Sequence, residues 1–499
     1  MTSPEITYDW FLQNGWPSAH SDEHIVRRWQ SSFMPQRRPM LLSDLNHIRW
    51  RLIFESYNYT NVIEATADWY NPSLSNPDRP KRTLHIIDHD RLHSHFADDN
   101  GETLPVGITY GPALWECRHD RARFQQQIDS ISDAGYDYIR FWCWLGYQQF
   151  WSGREVTPIN FINEDGVTIP GWTDWAEQVS AFGQIVKNAG LQLYVSSGDA
   201  RIFTHQHDLS EHAMKLGKLL TASGVTIMAA DQHEPEQQTW VNQDLSPSEI
   251  QDIFVEPLIK GAGYDFIRLS GAPLDGTNPE QRIKWQQDLQ QKHGTHGYGG
   301  GDLVGMLDEP LRLIDASIGY PLVQLGMESF PPGPGECDHS GMLNTVGENV
   351  LLAAVNWAGK FAYTFNPQVG THVWDGLLAD QPGFSEVPAV QDLLPVDLMS
   401  AYRIFVDWPD ERAPFHKVNM GPDRINTLIT EDTERFISFV YTDVSVKPGL
   451  NQTTLQARRP LRFTVIDPET LNVTEVNLPK GHTYTPRYTT GRIIVGSFL

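Results

Sequence analysis

Cysteine is scarce. Only Cys117, Cys143 and Cys337 occur in 499 residues, far apart and with no CxxC pair. Three such residues build neither a disulfide framework nor a cysteine-rich metal knot. GxGxxG is missing, and so is a P-loop, which removes the common glycine cradles for dinucleotides and nucleoside triphosphates. No run of about 18 apolar residues is present, so no membrane-spanning helix is expected. The N-terminal MTSPEITYDWF has no basic region leading into an apolar stretch. The chain is therefore expected to be cytoplasmic, or released without a signal peptide, and its sequons at Asn58, Asn451 and Asn472 carry no weight. Positive charge is also short: 38 Lys plus Arg stand against 62 Asp plus Glu, a net charge of −24. That balance argues against nucleic acid or an anionic membrane as partner, since both need a cationic footprint. Uncharged ligands are left open.

What is present is a beat in the middle of the chain. Helical apolar spacing ends in a glycine, and a β-rich run follows at once. Phe124, Ile128 and Ile131 precede Gly135 and a strand from Asp137 to Trp144. Trp175, Val179, Phe182 and Val186 precede Gly190 and Leu191 to Ser197. Leu209, Leu216 and Leu220 lead to Gly224 and Val225 to Ala230. Ile250, Phe254 and Leu258 lead to Gly263 and Tyr264 to Ser270. A glycine just past a helix adopts the left-handed cap that lets the chain turn into a strand. Two units nearly repeat, AGYDYIRF at Ala134 and AGYDFIRL at Ala262.

Further strands are expected at Leu104 to Tyr110, Gly294 to Tyr298, Pro321 to Glu328 and Lys360 to Asn366, with an apolar helix from Glu348 to Trp357. Eight parallel strands alternating with helices in about 260 residues match the size of a (β/α)8 barrel. The competitor is a doubly wound sheet, which favours fewer strands and a glycine-rich first turn. The fold class is thus α/β, a (β/α)8 TIM barrel over residues 101–395. From about Val396 short alternating runs such as RFISFVYTD and LRFTVIDP give a C-terminal antiparallel β-sandwich over 396–499. Residues 1–100 read as an N-terminal extension packed on the barrel, with a helix at 41–55 and a strand in TLHIIDHD.

A barrel of this kind carries its chemistry at the C-terminal ends of its strands. The fourth strand runs into AADQHEPEQ, which sets His233 and Glu234 at the rim, and the seventh ends in VQLGMESF at Glu328. Two carboxylates facing across a barrel mouth suit glycosidic hydrolysis, where one protonates the leaving oxygen and the other attacks the anomeric carbon or activates water.

On these motifs the chain resembles the clan A glycoside hydrolases, the (β/α)8 superfamily of cellulases, mannanases and β-galactosidases. The resemblance covers about Leu104 to Asp375 and implies a retaining glycosidase acting on an oligo- or polysaccharide. Glu234 resembles the clan's acid/base and Glu328 its nucleophile. Arg140 in YIRFW and Tyr298 ending the sixth strand resemble the groups that support the nucleophile carboxylate, and Trp374 the sugar-platform tryptophan. His233 stands where the clan's Asn binds the sugar 2-hydroxyl. That departure leaves the particular family open, and keeps a non-catalytic carbohydrate-binding protein on a degenerate barrel, a surface or virion component, as the alternative.

Other polar rim residues fit sugar recognition. Asp199, beside Arg201, and His205, with His207, leave the third strand. Trp115, Trp144, Trp151 and Trp240 lie on or near rim loops, where flat rings suit the C–H faces of pyranoses. Trp175, Trp285 and Trp357 have helical spacing and read as core. Glu309 in LDEPLRL repeats the Glu-Pro dipeptide, but acids before a proline are ordinary chemistry for a helix start. His85, His89, His93 and His95 crowd LHIIDHDRLHSHF; His89 and His93 share a metal only on a helix, and the segment reads as strand and turn. No metal and no cofactor is expected.

Overall fold

The computed structural model describes residues 85–87, 95–98, 101–102, 105–144 (without 112 and 134), 161–162, 168–169, 171–198, 206–231, 252–270, 293–298, 307, 323–328, 346–359, 362–365, 416–420, 423–429, 435–442 and 450–499 (without 469 and 471). The helix expected at 41–55 and the boundary near Val396 lie outside them.

The chain enters through a small antiparallel sheet of β1 (His85–Ile87), β2 (His95–Asp98) and β3 (Gly101–Glu102). Then comes β4 (Val106–Thr109), followed by α1 (Ala113–His119) and α2 (Arg121–Asp133). β5 (Tyr138–Trp144) leads to a hairpin, β6 (Phe161–Ile162) with β7 (Thr168–Ile169), inside the long loop after the second parallel strand. α3 (Trp175–Ala189), β8 (Gln192–Gly198), α4 (Gln206–Ser223), β9 (Ile227–Asp231), α5 (Val255–Ala262) and β10 (Ile267–Ser270) continue the alternation. β11 (His293–Tyr298), β12 (Val323–Glu328), α6 (Val346–Ala358) and β13 (Tyr363–Phe365) complete it.

The expected beat is present. Gly135, Gly190, Gly224 and Gly263, each just past a helix, have φ of 87°, 79°, 85° and 80°. Only glycine takes that conformation without a Cβ penalty. Eight parallel strands form one sheet in the order β12-β11-β10-β9-β8-β5-β4-β13. Its two end strands, β12 and β13, run within 8 Å of each other, Cα to Cα.

Alternation assigns the two faces. On β5 Ile139, Phe141 and Cys143 pack outward with the helices, in the core that holds Phe124, Val179, Phe182, Leu216 and Leu258. Tyr138 points the other way, into a second cluster with Tyr194, Met228, Ala229, Ile267 and Ala362, joined by Phe96 from β2. Each fully buried Leu or Phe of this kind contributes roughly 1.5–3 kcal/mol. Gly107 makes room for Tyr138, since a Cβ there would meet its ring at 2.0 Å.

The C-terminal part is antiparallel. β14 (His416–Met420), β15 (Asp423–Ile429), β16 (Arg435–Thr442), β19 (Leu461–Ile466), β20 (Val473–Leu478) and β23 (Gly491–Phe498) form a six-stranded sheet in the order β14-β15-β16-β23-β19-β20. Two ribbons accompany it, β17 (Asn451–Gln452) with β22 (Arg487–Tyr488), and β18 (Leu455–Gln456) with β21 (Thr483–Tyr484). One face of the sheet, with Ile437, Phe439, Tyr441 and Ile493, shares a single apolar core with Leu351, Val355 and Trp357 of α6. The other face, with Phe436, Val440, Phe463 and Leu478, has a core of its own, which Tyr488 of β22 joins.

Candidate active site

The C-terminal edge of the parallel sheet gathers the residues of interest. β12 ends at Glu328 and β11 at Tyr298, and the two are direct neighbours in the ladder. β5 ends at Trp144, opposite Gly198 of β8. β9 ends at Asp231, three residues before Glu234. His233, Glu234, Asp199, His205 and Trp374 lie outside the described residues.

Two of these ladders are irregular. Between β8 and β9 the pairing passes from Leu193↔Ile227 to Tyr194↔Ala229, so β9 carries one extra residue, Met228. Between β11 and β12 it passes from Thr295↔Gln324 to Gly297↔Met327, again with one extra residue on the later strand. A bulge flips the side-chain alternation beyond it and is common beside active sites. On β9 the consequence is visible. Ala230 packs on the outer, helix-facing core, while Asp231 turns inward.

Inside, Asp231 is the centre of a buried polar cluster. Nη2 of Arg140 donates to its Oδ2 at 3.2 Å, and both side chains are fully buried. The Tyr194 hydroxyl donates to the same oxygen, and the Ser196 hydroxyl to Oδ1. The guanidinium of Arg140 also lies 5.0 Å from the Tyr194 ring centroid, in cation–π range. Burial pushes the Tyr194 hydroxyl well above the usual tyrosine range; Asp231 adds to the rise and Arg140 opposes it. The phenol thus stays protonated and serves as a donor. One layer below, the Tyr138 hydroxyl meets the Thr364 hydroxyl at 2.7 Å, tying the second parallel strand to the eighth.

The sequence motifs point to none of Asp231, Tyr194 and Ser196. The signal for Asp231 was a charge ending the apolar run IMAAD, but simple alternation from Ile227 would place it outward. The bulge decides otherwise.

Searches of protein-family models and of curated proteins return no match. Solved structures do match. A structure described as a glycoside hydrolase aligns over 84% of this chain and 97% of its own, with a TM-score of 0.52 and 10% identity. A glycoside hydrolase family 5 structure from Bacteroides vulgatus ATCC 8482 aligns over 83% and 93%, with a TM-score of 0.53 and 10% identity. This chain has the fold of these glycoside hydrolase structures. At that identity the likeness concerns architecture, and the chemistry must come from the site.

The aromatic expectations divide. Trp175 and Trp357 are buried as core. Trp115 lies on α1, partly buried, with His119 stacked on it at 4.3 Å between centroids. His119 in turn meets Trp172 edge-on at 6.3 Å, and Arg118 lies over the Trp172 ring at 4.9 Å while pairing with Asp174 at 3.0 Å. Trp115 is therefore partly covered by its own helix. His95, from the histidine-rich stretch, belongs to β2, and His89 and His93 lie outside the described residues. Among the described residues no three His, Cys, Asp or Glu side chains group to hold a metal ion, and no helix is long and apolar enough to cross a membrane.

Proposed function

We propose that this chain is a retaining glycosidase that cleaves a glycosidic bond in an oligo- or polysaccharide. Its parallel sheet closes as a (β/α)8 barrel over residues 101–395, between an extension at 1–100 and a β-sandwich at 396–499. The observation that carries the reading is the strand-end arrangement. Glu328 closes β12 beside Tyr298, and β9 stops three residues short of Glu234 at the same edge.

In the proposed reaction the Glu328 carboxylate attacks the anomeric carbon as the Glu234 carboxylic acid protonates the departing oxygen. Water then attacks the glycosyl ester, giving its proton to Glu234 and releasing Glu328. Retention requires the carboxyl groups to stand about 5–5.5 Å apart. Tyr298 and Arg140 hold Glu328 ionised; a guanidinium carries five N–H donors, enough to serve Asp231 and a second carboxylate together. His233 donates to the sugar 2-hydroxyl, with Trp144, Trp374, Asp199 and His205 forming the rest of the subsite.

The test uses a panel of 2,4-dinitrophenyl β-glycosides. Glu328→Ala is expected to lower turnover by about 10⁴-fold or more, and added azide to restore product as a glycosyl azide of inverted configuration. Near-wild-type turnover by Glu328→Ala would overturn the assignment. His233 in place of Asn favours one rival, a glycan-binding protein without turnover. Its signature is an oligosaccharide that binds and stays uncut while every member of the panel goes unhydrolysed.

A further inference from the structure

The buried Asp231 cluster comes three residues before the proposed acid/base in the chain, and burying ions carries a cost that hydrophobic residues of similar volume would avoid. The cluster is nonetheless complete around the carboxylate: Arg140 and Tyr194 share one oxygen, and Ser196 takes the other. Its donors come from β5 and β8, the two strands preceding β9 in the sheet. Below it the interior is apolar and aromatic, with Tyr138, Met228, Ala229 and Ile267. The bulge at Met228 is what turns Asp231 into this position. A charged group placed at the last residue of a strand, by a local irregularity, with donors from two further strands, fixes where the chain leaves the sheet.

Resting on the glycosidase reading, we infer that Asp231 is a positioning residue for the proposed acid/base Glu234. Clamped by Arg140, Tyr194 and Ser196, its carboxylate fixes the start of the segment that carries Glu234 three residues on. It also sets the Arg140 guanidinium in place and balances its charge. Among the described residues, the ionisable groups facing the cluster include Arg140 and Tyr138 from β5 and Tyr194 from β8. Arg268 of β10 pairs elsewhere, with Glu256 and with Asp265 at 2.7 Å.

Asp231→Asn is close in shape but removes the charge. Displacing the acid/base by about 1 Å is expected to lower kcat on an unactivated glycoside, whose leaving oxygen needs the proton, by roughly 10²-fold while KM stays near its original value. With one buried negative charge removed, site carboxylates become more acidic. The alkaline limb of kcat/KM should move down by about one pH unit. A folded Asp231→Asn with unchanged kcat and an unshifted limb would overturn the inference. Tyr194→Phe and Ser196→Ala each remove one donor and serve if Asp231→Asn does not fold. Each should lower kcat with KM retained, and unchanged kcat in both would likewise overturn it. The unmodified chain separates the two readings. If it hydrolyses no glycoside of the panel, the glycosidase reading fails and this inference with it; if it does and the variants match it, the positioning role alone fails.

Discussion

Glu116 shows how one residue couples burial to pH. It lies on the inward face of α1, only 2% exposed, with Oε1 3.0 Å from Nε of Arg123. Its Oε2 has no hydrogen-bond partner among the described residues. Burial raises its pKa from 4.5 to about 7, with Arg123 opposing the rise. A folded pKa above the unfolded one means that the folded state holds the proton longer. The associated stability is full below pH 4.5 and is lost as the pH climbs through about 7, a change on the order of 3 kcal/mol at most. Glu116→Gln, uncharged at all pH values, should therefore raise Tm at pH 8 relative to the native chain and lose that advantage at pH 4.5. Thermal unfolding at the two values checks it; a pH-independent difference would contradict the protonated form. At this scale the sequence was only partly legible. Arg140 was picked out in YIRFW only through its resemblance to the clan's arginine. Asp231, Tyr194 and Ser196 were not, because their meeting depends on a register that side-chain order alone does not state.

Elements were easier to read where a periodic signal and a stop signal agreed. YIRFWCW follows a helix-ending glycine, and β5 turns Ile139 and Phe141 to the helices and Tyr138 inward. The glycines that end the helices have the left-handed conformation their spacing implied. The inserted residues in β9 and β12 were hidden, since a bulge shifts parity without changing composition. Helix-to-helix closeness was hidden as well. α4 and α5 approach backbone to backbone: a Cβ at Gly217 would stand 2.3 Å from the Leu258 carbonyl oxygen, and one at Gly261 only 2.0 Å from that of Met214. Rigid carbonyls cannot swing aside as a side chain can. Gly217→Ala and Gly261→Ala should each cost about 1–3 kcal/mol in spite of alanine's better helix propensity, as denaturant unfolding would show. Stabilisation by either substitution would mean that the helices pack further apart than described.

Across the whole molecule, the order of strands and helices was legible from composition and punctuation. The β-rich C-terminal texture was likewise legible, and its six-stranded antiparallel sheet follows. Its attachment was not, since nothing in the sequence announces that α6 and one face of that sheet close a single core. Beneath the parallel sheet, Phe96 enters the inner cluster from the small N-terminal sheet, and that insertion too had no sequence signal. The proposed reaction draws on this architecture. Parallel strands deliver their C-terminal ends to one edge, and the proposal has the carboxylates that leave the fourth and seventh strands act on one substrate there. The most direct measurement is covalent trapping with 2,4-dinitrophenyl 2-deoxy-2-fluoro-β-glycosides, matched to whichever aryl glycoside is turned over, followed by peptide mass mapping. A single fluoroglycosyl group on the peptide containing Glu328 is the predicted result. A label on another carboxylate such as Glu309, or turnover that yields the inverted anomer with no trapped ester, would contradict it.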